Sequence, residues 1–223
     1  MINFKREKEE KENIRITNSL EFNPFTKTIY FNKPVLSPED ELALKFSSVL
    51  EKLGIRYVIV AGYIAVLFGR NRRTDDVDFI VEELSEEKFI ELCRELGDME
   101  FELMQGNIRD SKSLRYIYYN YLREGYRVRL MWKNIPIPNI ELKMKNKIIE
   151  EYVLRNAIRV QLLGLGILRI SPLEIQIAYK LRLGSIKDIE DARFLYNLFI
   201  NILDKSLLNE WCRKLGVNTK WLK

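Results

Sequence analysis

Two aspartates separated by one apolar residue open a β-rich segment, Asp76-Val-Asp78-Phe-Ile-Val. Alternate residues of a strand point to the same face, so the pattern predicts that Asp76 and Asp78 lie side by side. Paired carboxylates supply the oxygen ligands that Mg²⁺ prefers. So short a pattern also arises by chance, and aspartates at the start of a strand often only cap the preceding loop. The interpretation therefore depends on the segments around the pair.

A glycine turn and a basic loop precede the acidic pair. The run Val58-Ile-Val-Ala-Gly62-Tyr63 predicts a buried strand that turns at Gly62 into a short helix. Glycine lets the backbone approach a ligand closely, and the free N–H groups at a helix start attract phosphate. The combination of strand, glycine, helix, basic loop and acidic strand predicts a site where a cation bridges nucleotide phosphates.

Composition excludes several kinds of catalyst. The 223 residues include no histidine, which rules out Ser-His-Asp and Cys-His nucleophilic catalysis and His-ligated zinc. The 37 Lys and Arg residues exceed the 32 Asp and Glu residues, and the net charge of +5 fits polyanionic partners or merely a solvated basic surface. Cys93 and Cys212 lie in helical patterns, and we expect both to be buried and reduced in the cytoplasm. Residues 1–12 lack the apolar core of a signal peptide, and no run is long enough to span a membrane.

Strand and helix patterns alternate up to residue 170, and helical patterns alone follow. This order predicts an α/β (α+β) fold, with a mixed β-sheet core flanked by helices and a C-terminal helical part. We expect three regions: an irregular N-terminal extension of residues 1–36 with a strand-like segment at residues 28–31, a core of residues 37–170 whose residues 158–170 form two short strands, and a helical region of residues 171–223. At the start of the last region, Ser171-Pro-Leu-Glu174 predicts a capping box.

The segments between residues 114 and 157 leave alternatives open. Residues 114–120 and 126–132 fit a hairpin, although the many tyrosines also permit a helix. Residues 139–157 have a helical pattern. Basic residues alternate with aromatic ones here, which fits a nucleic-acid surface or ordinary strand amphipathicity, and we favour the second interpretation. These basic residues are Arg115, Arg127, Arg129 and Lys133.

The motifs resemble those of the nucleotidyltransferase superfamily, which has the fold of DNA polymerase beta and the tRNA-terminal transferases. Within it, the sequence is similar to a minimal prokaryotic branch that includes AbiEii-type toxins, over about residues 40 to 200. The first group of matching residues is Gly62, Gly69, Arg73, Thr74, Asp76 and Asp78. A second match, Lys180 and then Lys187-Asp188-Ile-Glu-Asp191, resembles a helix pair of that branch.

The resemblance implies transfer of a nucleoside monophosphate from an NTP to an acceptor hydroxyl, with release of pyrophosphate. It implies a two-ion Mg²⁺ site in which Asp76 and Asp78 are metal ligands and catalytic residues. The acceptor stays open between RNA, protein and a small molecule, and a toxin role is implied only by the AbiEii-type match. The residues expected to bind the nucleotide and its phosphates are Gly62, Tyr63, Arg73, Thr74 and Lys180.

A two-ion site normally needs a third carboxylate, and the position where relatives carry it is Arg129 in this chain. We expect Glu141, near the start of the predicted helix, to be the substitute catalytic acid. The alternative hypothesis is a catalytically degenerate relative that binds nucleotide, RNA or a partner protein, with Arg129 neutralising Asp76 and Asp78. A DNA-binding module of residues 171–223 is a weaker hypothesis, because that region has no recognition-helix pattern.

Overall fold

The computed structural model describes residues 13–222, which form two compact units. One unit is Leu36–Ala157, and the second unit consists of residues 13–35 and 158–222. The expectation that residues 1–12 are not a signal peptide stays a prediction, because these residues lie outside the described part of the chain. Among residues 13–222, no helix combines the length and the apolarity that a membrane span requires.

Both units contain strands and helices, so the predicted mixed α/β fold is confirmed. The strands are β1 (Ile14–Arg15), β2 (Leu20–Asn23), β3 (Thr28–Phe31), β4 (Tyr57–Val60), β5 (Asp76–Val81), β6 (Phe101–Leu103), β7 (Val128–Trp132), β8 (Ile135–Met144), β9 (Ile158–Leu162) and β10 (Gly166–Ile170). The α-helices are α1 (Pro38–Lys52), α2 (Tyr63–Leu67), α3 (Glu86–Asp98), α4 (Ser111–Ile117), α5 (Ile148–Arg155), α6 (Leu173–Leu183), α7 (Ile186–Phe199) and α8 (Lys205–Lys214). A π-helical turn covers Tyr118–Leu122, and a 3₁₀ turn covers Thr219–Leu222.

The sheet of the unit Leu36–Ala157 has the strand order β4-β5-β8-β7-β6. β5 and β8 are parallel, whereas the other neighbouring pairs are antiparallel. Helix α1 packs on one face, where the ring of Phe46 lies 4.8 Å from that of Phe79 in β5. Because side chains alternate along a strand, Asp76 and Asp78 point to the face opposite this core.

The helix expected over residues 139–157 is wrong in its first part. Residues up to Met144 belong to β8, and α5 begins only at Ile148. Ile140, Leu142 and Met144 are buried at every second position. An apolar run this short fits a strand as well as a helix, and pairing with β5 and β7 on either side decides for the strand.

The hairpin expected between residues 114 and 132 is also wrong in its first half, and the helical alternative is confirmed there. Residues 111–122 are helical, because α4 continues into the π-helical turn. The Asp110 side chain starts α4 by accepting the Ser113 backbone N–H at 2.9 Å. The second half is strand β7, which pairs with β6 and β8.

The second unit contains a sheet of strand order β1-β2-β3-β9-β10. Strands β3 and β9 are parallel, with Thr28 opposite Arg159 and Phe31 opposite Leu162. Residues 13–36, expected as an irregular extension with one strand-like segment, contribute three strands, and the strand-like segment is β3. The two short strands expected within residues 158–170 are β9 and β10, but they belong to this unit, because β9 pairs with β3.

Helices α6, α7 and α8 follow β10, and α6 packs against both of the others. The capping box expected at Ser171 does not form, since Pro172 is the residue before α6 and provides no side-chain cap. Glu174 instead accepts the backbone N–H of Asp204 at 2.9 Å, which joins the starts of α6 and α8. Cys93 and Cys212 are both buried and free, as expected.

Candidate functional site

A row of charged side chains crosses three neighbouring strands of the unit Leu36–Ala157. Asp78 on β5 lies opposite Glu141 on β8, and Glu141 lies opposite Arg129 on β7. Cross-strand partners point to the same face of a sheet, so these side chains are neighbours. Asp76 precedes Asp78 by two residues and shares its face. The fold thus brings together the three acids that the sequence indicates as candidates.

Two arginines bind these carboxylates. Arg129 Nη2 lies 2.5 Å from Glu141 Oε1, and Arg129 Nε donates to the same oxygen at 2.8 Å. Arg127 Nε lies 2.8 Å from Glu141 Oε2 and 3.3 Å from Asp78 Oδ1. Arg129 forms its ion pair with Glu141 and acts on Asp76 only through its charge, which lowers the pKa of Asp76. Arg127 is the arginine that contacts Asp78.

The acids are buried, whereas the arginines are half exposed. The side chains of Glu141 and Asp78 are 8% and 12% exposed, but those of Arg127 and Arg129 are 55% and 53% exposed. An exposed guanidinium can turn towards solvent or another anion without leaving a void in the core. The carboxylates on β5 and β8 have no such freedom, so the arginines are the exchangeable partners.

Burial and mutual repulsion shift the titration of the β5 aspartates. Burial raises the pKa of Asp78 from its ordinary value of 3.8 to about 7, and the charge of Asp76 adds to this shift while Arg127 opposes it. Burial also raises the pKa of Asp76, with Glu141 and Asp75 acting in the same direction. The charges of Arg127 and Arg129 therefore do not offset the burial and mutual repulsion of these carboxylates.

The oxygens of this row are the kind of ligand that Mg²⁺ prefers. Within residues 13–222, no group of three or more Asp, Glu, Cys or His side chains is placed to hold a metal ion. Guanidinium groups engage both oxygens of Glu141 and one of Asp78. An ion could therefore bind Asp78 and Glu141 fully only after Arg127 and Arg129 move away from these oxygens.

The turn after β4 lies next to the acidic row, since Val60 at the end of β4 pairs with Asp78. Ala61 follows with a φ of 63°, a left-handed conformation that residues with a side chain rarely adopt. At Gly62, a Cβ atom would lie only 2.8 Å from Arg72 Nη2. A side chain at residue 62 would displace the Arg72 guanidinium, which donates to the Gly62 carbonyl oxygen at 3.0 Å and so joins the basic loop to this turn.

The buried side chain of Tyr63 fixes the turn to helix α1. Its side chain is fully buried, and its hydroxyl donates to Asp40 Oδ1 at 2.8 Å. Burial, and then the neighbouring charge of Asp40, raise the pKa of Tyr63 well above its ordinary value, so the hydroxyl stays a neutral donor. Asp40 also accepts the Ser37 backbone N–H in the capping box of α1. Of Tyr63, only the backbone remains for a contact with phosphate.

The basic loop before β5 supplies the other predicted phosphate-binding residues. The Thr74 hydroxyl donates to the Asp76 carbonyl oxygen at 3.2 Å, next to Gly62. The Arg73 side chain is exposed, and its carbonyl oxygen accepts from Arg72 Nη1 at 2.8 Å. Gly62, Tyr63 and Thr74 thus meet at one turn, and the sequence analysis missed that Arg72 holds it together.

Lys180 lies in the second unit, in surroundings unlike those of a phosphate contact. Its Nζ lies 2.7 Å from Asp188 Oδ1 and 3.0 Å from Asp191 Oδ2, and its side chain is 4% exposed. Both aspartates follow Ser185, whose hydroxyl caps α7 and donates to Asp188. The second matching motif therefore forms a buried ion cluster that joins α6 to α7.

Arg127 is the second residue that the sequence analysis missed as part of the site. It alternates with Arg129, and this period of two places both on the face of the acidic row. The pattern was visible and was interpreted as ordinary strand amphipathicity. Its meaning depends on the antiparallel pairing of β7 with β8, which brings both guanidiniums to Glu141.

Comparisons with known proteins find similarity only at low sequence identity. The crystal structure of an antigenic nucleotidyltransferase-like protein from Paracoccidioides brasiliensis is 20% identical, with a TM-score of 0.49, over 82% of this chain and 89% of that chain. An apo form of a tRNA-processing enzyme is 16% identical, with a TM-score of 0.39, over 86% of this chain and 60% of that chain. No protein-family model and no curated protein matches the chain. Because both TM-scores lie below 0.5, the function must be argued from the site itself.

Proposed function

We propose that this protein is a nucleotidyltransferase that transfers a nucleoside monophosphate from an NTP to an acceptor hydroxyl. The observation that carries the proposal is the register of β5 and β8, in which Glu141 lies beside Asp78 and Asp76 shares their face. This register supplies a third carboxylate although Arg129 occupies the position where relatives carry one. Asp76, Asp78 and Glu141 are the proposed catalytic residues.

The NTP is proposed to bind where the turn after β4 meets the acidic row. The Gly62 backbone has no side chain to keep a phosphate away, and the Arg72 guanidinium lies at the same turn. Arg73, with an exposed side chain, is the next residue of the basic loop. Thr74 adds a hydroxyl next to Gly62. Lys180 is left out of the proposal, because its ammonium is buried between two aspartates.

In the proposed reaction, the acceptor oxygen forms a bond to the α-phosphorus of the NTP. The bond between that phosphorus and the bridging oxygen of the β-phosphate breaks, and pyrophosphate leaves. The proton of the acceptor hydroxyl passes to a carboxylate oxygen of the acidic row.

Mg²⁺ enters the proposal from the family resemblance, with Asp76 and Asp78 as its ligands. The raised pKa values of both aspartates support a demand for positive charge at this place. Arg127 would first have to release Asp78. Membership of the AbiEii-type branch and a toxin role are proposed on the same resemblance. A cytoplasmic location is proposed from the two buried, free cysteines.

The second candidate function is a degenerate relative that binds nucleotide, RNA or a partner protein without transferring a nucleotide. The observation in its favour is that guanidinium groups already engage both oxygens of Glu141. In such a protein the arginines would permanently take the place of the metal ions. The two candidates differ in a single measurable property, the appearance of a covalent product.

The test is incubation of the purified protein with α-phosphate-labelled NTPs, Mg²⁺, total RNA and a cell lysate. Label that enters RNA, protein or a small molecule supports the transferase and identifies its acceptor. Asp76→Asn and Glu141→Gln should each abolish labelling, whereas Glu82→Gln, in a surface ion pair with Arg56, should not. NTP binding without label transfer would favour the second candidate.

A growth assay tests the toxin role. Growth arrest when the protein is expressed, relieved by Asp76→Asn, would support that role.

A further inference from the structure

A cavity opens beside the acidic row, on the side of β7. Its volume is about 520 Å³, within the range of pockets that hold ligands of nucleotide size. Arg127, Arg129, Glu141 and Lys143 line it, so it borders the candidate catalytic acid of β8. Gly62 does not line this cavity. The unit Leu36–Ala157 therefore has room for a second substrate in addition to the NTP proposed at the turn.

The walls of the cavity are positively charged. Arg127, Arg129 and Lys143 outnumber its single acid, Glu141. Lys143 is largely buried, and its Nζ lies 2.6 Å from Glu150 Oε1, so its charge is neutralised by Glu150. The two arginines expose more than half of their side chains, and a guanidinium binds phosphate in the same forked geometry as carboxylate. A phosphate in the cavity would compete with Glu141 for both arginines.

The arginine-bearing strand is held firmly at the cavity wall. The Gln105 side chain accepts the Arg129 backbone N–H at 3.0 Å and donates to the Arg127 carbonyl oxygen at 3.3 Å. These bonds pair the Arg129 N–H and the Arg127 carbonyl group at the start of β7, beyond the end of its pairing with β6. The backbone of the strand is thereby fixed, and only the long arginine side chains need to move when an anion arrives.

Aromatic side chains complete the cavity. Tyr121 and Tyr126 both line it, and Tyr126 is 63% exposed. Gly125 presents Tyr126 through a turn with a φ of 79°, and a Cβ atom at Gly125 would lie 2.1 Å from Asn146 Nδ2. Exposed aromatic faces next to basic residues are the combination that binds unpaired nucleobases and the phosphates between them.

We infer that this cavity binds the end of a single-stranded nucleic acid, the acceptor in the proposed transfer, and in that role the inference rests on the proposed function. Tyr126 stacks on a base, Arg127 and Arg129 bind backbone phosphate, and the acceptor hydroxyl lies towards Glu141. Binding of phosphate draws the arginines from Glu141 and Asp78 and frees these carboxylates. A small uncharged acceptor would use neither the two exposed cations nor the exposed aromatic face.

The experiment measures binding by fluorescence anisotropy, without NTP and in the presence of EDTA, so that transfer is not needed. The probes are labelled hexanucleotides of single-stranded RNA and of single-stranded DNA, and an RNA duplex. We expect both single strands to bind at least tenfold more tightly than the duplex, because duplex bases cannot stack on Tyr126. Tighter binding of the RNA strand would identify RNA as the acceptor, and tighter binding of the DNA strand would identify DNA.

Variants separate stacking from charge. Tyr126→Ala should weaken binding about tenfold or more, and Tyr126→Trp should restore it. Arg129→Gln should lower the slope of log affinity against log salt by about 0.7, the loss of one phosphate contact to a single strand, and Arg129→Lys should restore it. Matched controls that should bind like the wild type are Arg56→Gln, whose side chain is 59% exposed, and Tyr179→Ala, which is 46% exposed.

Absence of binding to either single strand would overturn the inference, as would equal effects of Arg129→Gln and Arg56→Gln. Transfer of label to a protein or a small molecule, without binding of the hexanucleotides, would overturn the inference and leave the proposed function intact. Binding of the hexanucleotides that depends on Tyr126, without transfer from any NTP, would overturn the proposed function and leave the ligand of the cavity established.

Discussion

The two compact units each contain a cluster of aspartates with basic partners, and the pKa values of Asp78 and Asp188 shift in opposite directions. In the unit Leu36–Ala157, burial raises the pKa of Asp78 to about 7. In the second unit, burial acts on Asp188 in the same direction, but hydrogen bonds from Lys180 and Ser185 outweigh it and lower the pKa of Asp188. Similar side chains thus give one cluster in which an aspartate takes up a proton more easily than usual, and one in which an aspartate stays ionised.

The cation accounts for the difference. Lys180 is 4% exposed and lies within 3.0 Å of two carboxylates, so nothing else can reach it. The Arg127 side chain is 55% exposed, and its Nε lies 3.3 Å from Asp78 Oδ1, a longer contact than those of Lys180. Arg127 can therefore exchange Asp78 for another anion. A buried cation fastens two helices together, whereas an exposed cation beside buried acids leaves a place for substrate chemistry. We therefore interpret the Lys180 cluster as structural and the Asp78 cluster as the site.

The largest expected effect is on transfer activity in the Asp78 cluster. Glu141→Gln keeps the shape of the side chain but removes a negative charge from the reacting centre, and it should lower the rate of label transfer about 10³-fold or more. The free energy of unfolding should change little, since the side chain is retained. Steady-state transfer assays and urea unfolding check both parts. A change of less than tenfold would remove Glu141 from the catalytic residues.

The next largest effect concerns the stability of the Lys180 cluster. Lys180→Met leaves Asp188 and Asp191 without their buried cation and should lower the free energy of unfolding by about 3–5 kcal/mol. Lys52→Met, which removes an ion pair from a side chain 63% exposed, should cost less than about 1 kcal/mol. Urea unfolding measures both. If the two variants cost the same, the cluster is not a structural tie, and Lys180 regains its predicted role with phosphate.

A pH series distinguishes the two clusters through Asp78. Its pKa is about 7 in the folded protein and near 3.8 when unfolded, so its contribution to stability is fully present below about pH 4 and is lost as the pH rises through about 7. Asp78→Asn should abolish that loss and raise the free energy of unfolding at about pH 8 by up to about 4 kcal/mol, with no gain at about pH 4. Urea unfolding across this range measures the difference.

The same gain at every pH would contradict the shifted pKa of Asp78. Asp188 serves as the internal contrast, because its lowered pKa has the opposite consequence. Its contribution is present above its ordinary value of 3.8 and is lost as the pH falls below it.

The smallest expected effect is on metal affinity. The wild type should bind Mg²⁺ weakly without nucleotide, because Arg127 and Arg129 occupy the oxygens of the acidic row. Arg129→Asp frees Oε1 of Glu141 and adds a carboxylate, and it should tighten Mg²⁺ binding about tenfold, or about 1.4 kcal/mol. Isothermal titration of wild type, Arg129→Asp and the control Arg56→Asp, with and without an ATP analogue, measures this. Equal affinity in wild type and Arg129→Asp would show that Arg129 does not control access to the acids.

Local sequence patterns were sufficient to predict an element where its own residues and their near neighbours determine its conformation. The helix begun by Ser37, the turn at Gly62 and the strand from Asp76 were all predictable, because capping, turn and alternation signals lie within a few residues. Strand β8 was not predictable, since its apolar spacing also fits a helix and only its two neighbours decide. The strand-like pattern of Thr28–Phe31 predicted β3, but not its pairing with β9, which is remote in the chain.

The sequence by itself determined that no histidine chemistry occurs, that Asp76 and Asp78 share a face, and that a glycine turn precedes them. Only the tertiary structure decided that Glu141 joins them, that Arg127 reaches Asp78, and that Lys180 is buried between aspartates. The physical reason is that alternation and capping are set by neighbouring residues along the chain. Strand register and burial depend instead on which distant segments pair, and the charge balance at Asp78 follows from them.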